Sequence, residues 1–216
     1  MNDLSDIVEE QEEIIRILGE LKHVSCYDYS QVMHQTATYL DNHQRLTQES
    51  DGFEEFSVDK FLKIDSKDKP GYYRFKKPAG LSMADIAYRL FIEIPAIYGV
   101  MTGDGPVAFG NDLTVAIANS LEDKIQYTDV NVIDDKTFIK IILDYENLPI
   151  NLLRVEDIDC MRMDWIGWLE EAIDRFELQY LIISDLSLIY RPQIYPKLVR
   201  LARESNVNII GFVNSY

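Results

Sequence analysis

Two glycines, Gly105 and Gly110, frame the run Gly-Pro-Val-Ala-Phe-Gly-Asn-Asp at residues 105 to 112. Their spacing is that of the phosphate-binding loop G-x-x-x-x-G-K-[ST]. In that motif backbone amides cradle the phosphates, a lysine reaches the β- and γ-phosphates, and a hydroxyl holds Mg²⁺. Here Asn111 and Asp112 stand in the last two places. An amide brings no compensating charge, and a carboxylate beside a triphosphate repels it. A nucleotide site built on this frame has lost its chemistry.

Other residues take their meaning from where such a frame sits. In parallel α/β sheets, ligands bind where strand C-termini meet helix N-termini, because free amides and helix dipoles converge there. Tyr127-Thr-Asp-Val-Asn131 forms a second loop of this kind. Asp185 closes the apolar strand that starts at Tyr180, where an aspartate can hold a Mg²⁺-bound water. Asn214 is a polar residue at the end of the last strand, placed to sense a ligand.

The remaining candidates have plainer explanations. His23, His34 and His43 lack acidic or cysteine partners at ligand spacing, which disfavours zinc. Cys26 and Cys160 form no C-x-x-C pair and fit a reducing compartment. No G-x-S-x-G or Cys/His pairing marks a nucleophile. Glu54-Glu55, Asp134-Asp135, Glu156-Asp157-Asp159 and Glu170-Glu171 read as solvated faces or helix N-terminal charges. Trp165 and Trp168 belong to a core-facing stripe before they belong to a base-stacking platform.

The elements that must position these residues follow from periodicity. Leu4, Ile7, Val8, Ile14, Ile15, Leu18 and Leu21 recur at helical steps around Glu9–Glu13, predicting an amphipathic helix over residues 4–22. A second helix is expected over 28–48, then short strands at Phe56–Ile64 and Tyr72–Phe75. Ser82 is the expected N-cap of a helix running to about Leu90. From residue 92 strands and helices alternate. The expected strands are Ile94–Met101, Ile125–Val132, Leu152–Val155, Tyr180–Asp185 and Val207–Val213. The expected helices are Leu113–Leu121, Asp135–Leu143, Met161–Phe176 and Gln193–Glu204. Apolar strands joined by helical crossovers predict an α/β fold, a parallel sheet flanked by helices in three layers. The expected organisation is a helical N-terminal appendage over 1–50, a linker with short strands and a helix over 51–91, and the α/β core over 92–216.

Charge narrows the partners. Thirty-seven acidic residues against 21 basic ones give a formal net charge of -16, and the longest basic run is Lys76-Lys77. Direct, phosphate-driven binding of nucleic acid is therefore disfavoured. A basic or nucleic-acid-binding protein partner suits this surface better. The tyrosines, 13 in all, add residues favoured at protein–protein interfaces. No apolar run approaches the ~20 residues of a membrane span, and the acidic N-terminus is no targeting signal, so a cytoplasmic location is expected.

Residues 94 to 216 resemble the ATPase core of the RecA superfamily. Ala96-Ile-Tyr-Gly with the frame at 105–112 resembles its first strand and Walker A loop, and Tyr180–Asp185 its Walker B strand. Ser205–Asn214 resembles the helix end and strand leading to the family's polar sensor. The resemblance implies vestigial nucleotide-binding positions at Gly105, Gly110, Asn111, Asp112, Asp185 and Asn214. Where the family places its catalytic glutamate, this chain offers Asn131. The implied protein is a degenerate, non-catalytic RecA-like accessory or scaffold in DNA replication, recombination or defence, with no resident metal or cofactor. The amphipathic N-terminal helix is expected to pack on its own domain, with homo- or hetero-oligomers formed through it as the alternative. Two alternatives stand beside it. One is an acidic inhibitor, immunity-type or DNA-mimic protein that caps a basic partner. The other is a nucleotide-binding protein with an altered loop, holding ATP and Mg²⁺ with Lys76, Lys77 or Lys124 as the replacement lysine.

Overall fold

The computed structural model describes residue 45 and residues 52–64, 70–121, 126–145, 147–154, 164–189 and 194–213. The chain divides into two compact units, Met1–Thr38 and Tyr39–Tyr216. All the described residues belong to the second unit. The helix expected over 4–22, most of the one over 28–48, and Asn214 lie outside them.

Five strands form one sheet: β1 (Tyr72–Lys76), β2 (Tyr98–Thr102), β3 (Ile150–Arg154), β4 (Tyr180–Ile183) and β5 (Asn208–Val213). Their spatial order is β1-β5-β4-β2-β3, and every pairing is parallel. The sequence shows why. Every residue of β2 and β4 is buried, as in strands covered on both faces by crossover helices. Successive side chains then alternate between two cores. Phe75, Tyr98, Val100, Tyr180, Ile182, Ile210 and Phe212 point to one. Met101, Leu153, Leu181, Ile183, Ile209 and Val213 point to the other.

The first face is covered by α1 (Val58–Ile64), through Phe61, and by α2 (Met83–Glu93), through Met83, Ile86, Ala87 and Leu90. The second face is covered by α5 (Trp165–Phe176) and α6 (Ile194–Glu204), through Leu169, Ile173, Leu198 and Leu201. Between β2 and β3 run α3 (Pro106–Leu121) and α4 (Asp135–Tyr145). They build a third apolar cluster with Tyr88 of α2, using Ala116, Ile117 and Ile141. Ser82 caps α2 as expected. Its hydroxyl accepts from the Asp85 amide at 3.1 Å while the Asp85 carboxylate accepts from the Ser82 amide at 3.1 Å.

Several expectations change in the fold. Residues 56–64 are not a strand. Ser57 accepts from the Lys60 amide, and Val58–Ile64 coil so that Phe61 is buried while Leu62 and Ile64 stay exposed. Residues 126–132 are no strand either. The Asn119 side chain takes the Tyr127 amide at 2.6 Å and donates to the Tyr127 carbonyl at 3.0 Å, using the groups a ladder would need. Val130–Val132 then close a 3₁₀ turn capped by Asp129. Within the stretch expected as a linker with short strands and a helix, β1 joins the core sheet: it pairs with β5 along its length, and Phe56 donates to the Lys76 carbonyl on its other side.

Gly211 of β5 shows how tightly the layers meet. A Cβ placed there would come within 2.6 Å of Leu186 Cδ2 and 2.9 Å of its Cγ. Gly211→Ala is expected to lower the stability by about 1–3 kcal/mol. In urea unfolding, Gly211→Ala combined with Leu186→Ala should cost less than the sum of the two, because the second change vacates the space the first one needs.

Candidate functional site

In this sheet the chain leaves β2 for β3 on one side, then crosses to β4 on the other. The order of β3, β2, β4 and β5 is the 2-1-3-4 order of doubly wound folds, whose ligand crevice lies at the C-terminal ends of the two strands where the winding reverses. Here those strands are β2 and β4. Thr102 and Asp104 follow β2, with the Thr102 hydroxyl donating to Asp104 Oδ2 at 2.9 Å and accepting from the Asp104 amide at 3.1 Å. Ser184 and Asp185 follow β4, and the Ser184 amide donates to the Met101 carbonyl. Gly105 and Asp185 thus come from adjacent strand ends.

Neither has the form a phosphate site needs. Asp185 is 6% exposed and caps the 3₁₀ turn Leu186–Leu188, with Oδ1 accepting from the Ser187 amide at 2.8 Å and the Ser187 hydroxyl at 2.5 Å. The expected glycine loop is a helix. α3 begins at Pro106, well before Leu113, and the Phe109 amide already bonds to the Gly105 carbonyl at 3.0 Å. Proline at the first helical position needs no amide partner and arrives with helical φ, so the local chemistry favours this start. Only Gly103, Asp104 and Gly105 remain between β2 and the helix. Gly110, Asn111 and Asp112 lie in the second turn of α3, where amides are taken by carbonyls four residues back and cannot cradle an anion.

Asn111 and Asp112 instead line a cleft between α2 and α3 of about 630 Å³, with Ser82, Asp85 and Arg89 of α2 and the loop 126–131. Asn131, at the position of the family's glutamate, lines it too. Its amide and its side chain both donate to Asp129 Oδ1 at 2.8 Å, which holds that loop closed on itself. The cleft therefore gathers three residues from the sequence constellation: Asn111, Asp112 and Asn131.

Its electrostatics are those of crowded carboxylates. Asp112 is held above the ordinary carboxylate range, first by partial burial and then by Asp85. The Ser82 hydroxyl pulls it down, Asp104 raises it further, and Lys77 lowers it. Of the candidate replacement lysines, Lys77 comes within electrostatic range of Asp112, Lys76 is held in β1, and Lys124 lies outside the described residues. A polyphosphate placed here would meet the carboxylates of Asp85, Asp112 and Asp129 beside the guanidinium of Arg89, so negative charge prevails and phosphate is repelled. Among the described residues, no three His, Cys, Asp or Glu side chains are grouped to hold a metal ion. None of the described helices is long and apolar enough to cross a membrane.

Asp85 was missing from the constellation read in the sequence. The Ser82-x-x-Asp85 capping pattern was its only local signal, and that pattern announces a helix start, not a neighbour of Asp112. No protein-family model matches the chain, and no curated protein matches it significantly.

The raised Asp112 value fixes the sign of a pH effect. Folding favours the protonated carboxyl, so this group's contribution to stability is present below 3.8 and is lost as pH rises through the higher folded value. Asp112→Asn is therefore expected to raise the thermal midpoint at neutral pH and to leave it unchanged near the acid end. Paired melting curves across that range check it.

Proposed function

We propose that this chain is a non-catalytic relative of RecA-type ATPases, acting as an accessory or scaffold protein in DNA replication, recombination or defence through protein–protein contacts. The observation that carries the non-catalytic part is the conversion of the glycine frame into the first turns of α3, with carboxylates around it and no lysine in the motif's place. The kinship and the setting in DNA metabolism rest on the sequence motifs, not on the strand order, which is the 2-1-3-4 order that flavodoxin-like sheets also use. The net charge of -16 supports a basic or nucleic-acid-binding protein as the partner.

On this reading Asp185 has a structural role. Its replacement by Ala should lower stability by about 1–2 kcal/mol, the loss of a helix-turn cap and its hydrogen bonds. The purified chain should turn over no ATP, and millimolar ATP should leave the fluorescence of Trp165 and Trp168 unchanged. ATP turnover abolished by Asp185→Ala would overturn the proposal. Saturable ATP binding without turnover would favour the altered-loop alternative.

A further inference from the structure

The helix α4 carries apolar side chains on two sides. Ile141 packs into the third cluster and Thr137 is buried beside it. Phe138, Ile139, Ile142 and Leu143 lie on the side turned to water, 39% to 71% exposed. An apolar helix face turned to water is a surface that a partner can cover. In a protein with this net charge, four adjacent exposed side chains of that size form a patch of the kind that marks an interaction surface.

Charge indicates what covers it. The acidic cleft of Asp85 and Asp112 leads through the loop 126–131 to the turn Val130–Val132, and α4 starts three residues later with Asp134 and Asp135 at its N-terminal end. Val130 and Asn131 line the cleft, while Val132 is 61% exposed. The same short segment thus joins a negative groove to an apolar stripe. Lys136 and Lys140, both exposed, border the stripe along one edge at helical spacing. Their positive charge repels basic side chains along that edge and leaves the Asp134 and Asp135 end as the one that attracts them.

We infer that the exposed face of α4, with the neighbouring acidic cleft, is the docking surface for a cationic amphipathic helix of a partner protein. The partner's apolar side lies on Phe138, Ile139, Ile142 and Leu143, and its basic side chains reach the carboxylates of the cleft and of the α4 N-terminus. This is the helix-in-groove mode of recognition, with charge supplying attraction and orientation. The inference rests on the reading of the chain as a partner of basic proteins.

The test uses the full chain and two labelled peptides of about 18 residues, five helical turns. Both contain only leucine and lysine in equal proportion. In one the leucines recur at three- and four-residue steps; in the other the order is scrambled. Fluorescence anisotropy at about 0.15 M salt should show the amphipathic peptide binding at least about tenfold tighter, a difference of about 1.4 kcal/mol. The variant Ile139→Asp with Leu143→Asp separates the two forces. It adds two negative charges, so attraction by charge alone would strengthen binding, whereas loss of the apolar seat weakens it by about tenfold or more. Both positions are exposed, and circular dichroism confirms that the fold is retained. Equal affinity for the two peptides, or unchanged or tighter binding by the variant, overturns the docking surface while leaving a general attraction to basic proteins intact. Binding of neither peptide overturns the basic-partner reading as well. Self-association of the wild-type chain that the variant abolishes also overturns the inference, because the face is then a contact between copies.

Discussion

The two-sided burial of β4 is the constraint on which the rest of the structure depends. Tyr180 and Ile182 serve one core, Leu181 and Ile183 the other, and β4 lies between β2 and β5. With no face open to water, each strand beside it must bring its own helices, and the crossovers must pass on opposite sides. α2 and α3 therefore sit on one side, and α5 and α6 on the other. The closeness of the layers at Gly211 and Leu186 follows from the same requirement, because β5 and the turn after β4 share one space.

The winding puts the end of β2 beside the end of β4, the position where doubly wound folds hold their ligands. Among the described residues, the polar side chains at that position bond within the chain. Thr102 and Asp104 bond to each other, Asp185 bonds to its own turn, and α3 starts so early that Gly110 is part of the helix. Asn111, Asp112 and Asn131 line the cleft between α2 and α3 instead. There carboxylates dominate and phosphate is repelled. Beyond the cleft, α4 adds the exposed apolar side chains Phe138, Ile139, Ile142 and Leu143.

Much of the fold was legible along the chain. The apolar run at Tyr180–Ile183, the capping serine at Ser82 and the amphipathic periods of α5 and α6 are local signals, and each element stands close to where its signal put it. The failures were local signals read against the wrong competitor. Val58–Ile64 has β-branched ends that suit a strand, yet Ser57 and the single inward Phe61 make it a helix. Pro106 announced a helix start that the glycine spacing concealed. At 126–132 the apolar letters suggested a strand, but the deciding groups are on Asn119, one helix earlier.

By itself the sequence determined which residues must leave water, where chain reversals and caps fall, the acidic balance of the surface, and the absence of a lysine and a hydroxyl after Gly110. These are properties of residue type and short-range spacing. Only the tertiary structure decided that β2 neighbours β4, that Asp85 faces Asp112, that Tyr72–Lys76 joins the sheet beside β5, and that α4 keeps four large apolar side chains exposed. The reason is physical: periodicity states that a face must be buried, but the partner that buries it is chosen by packing between segments far apart in the chain.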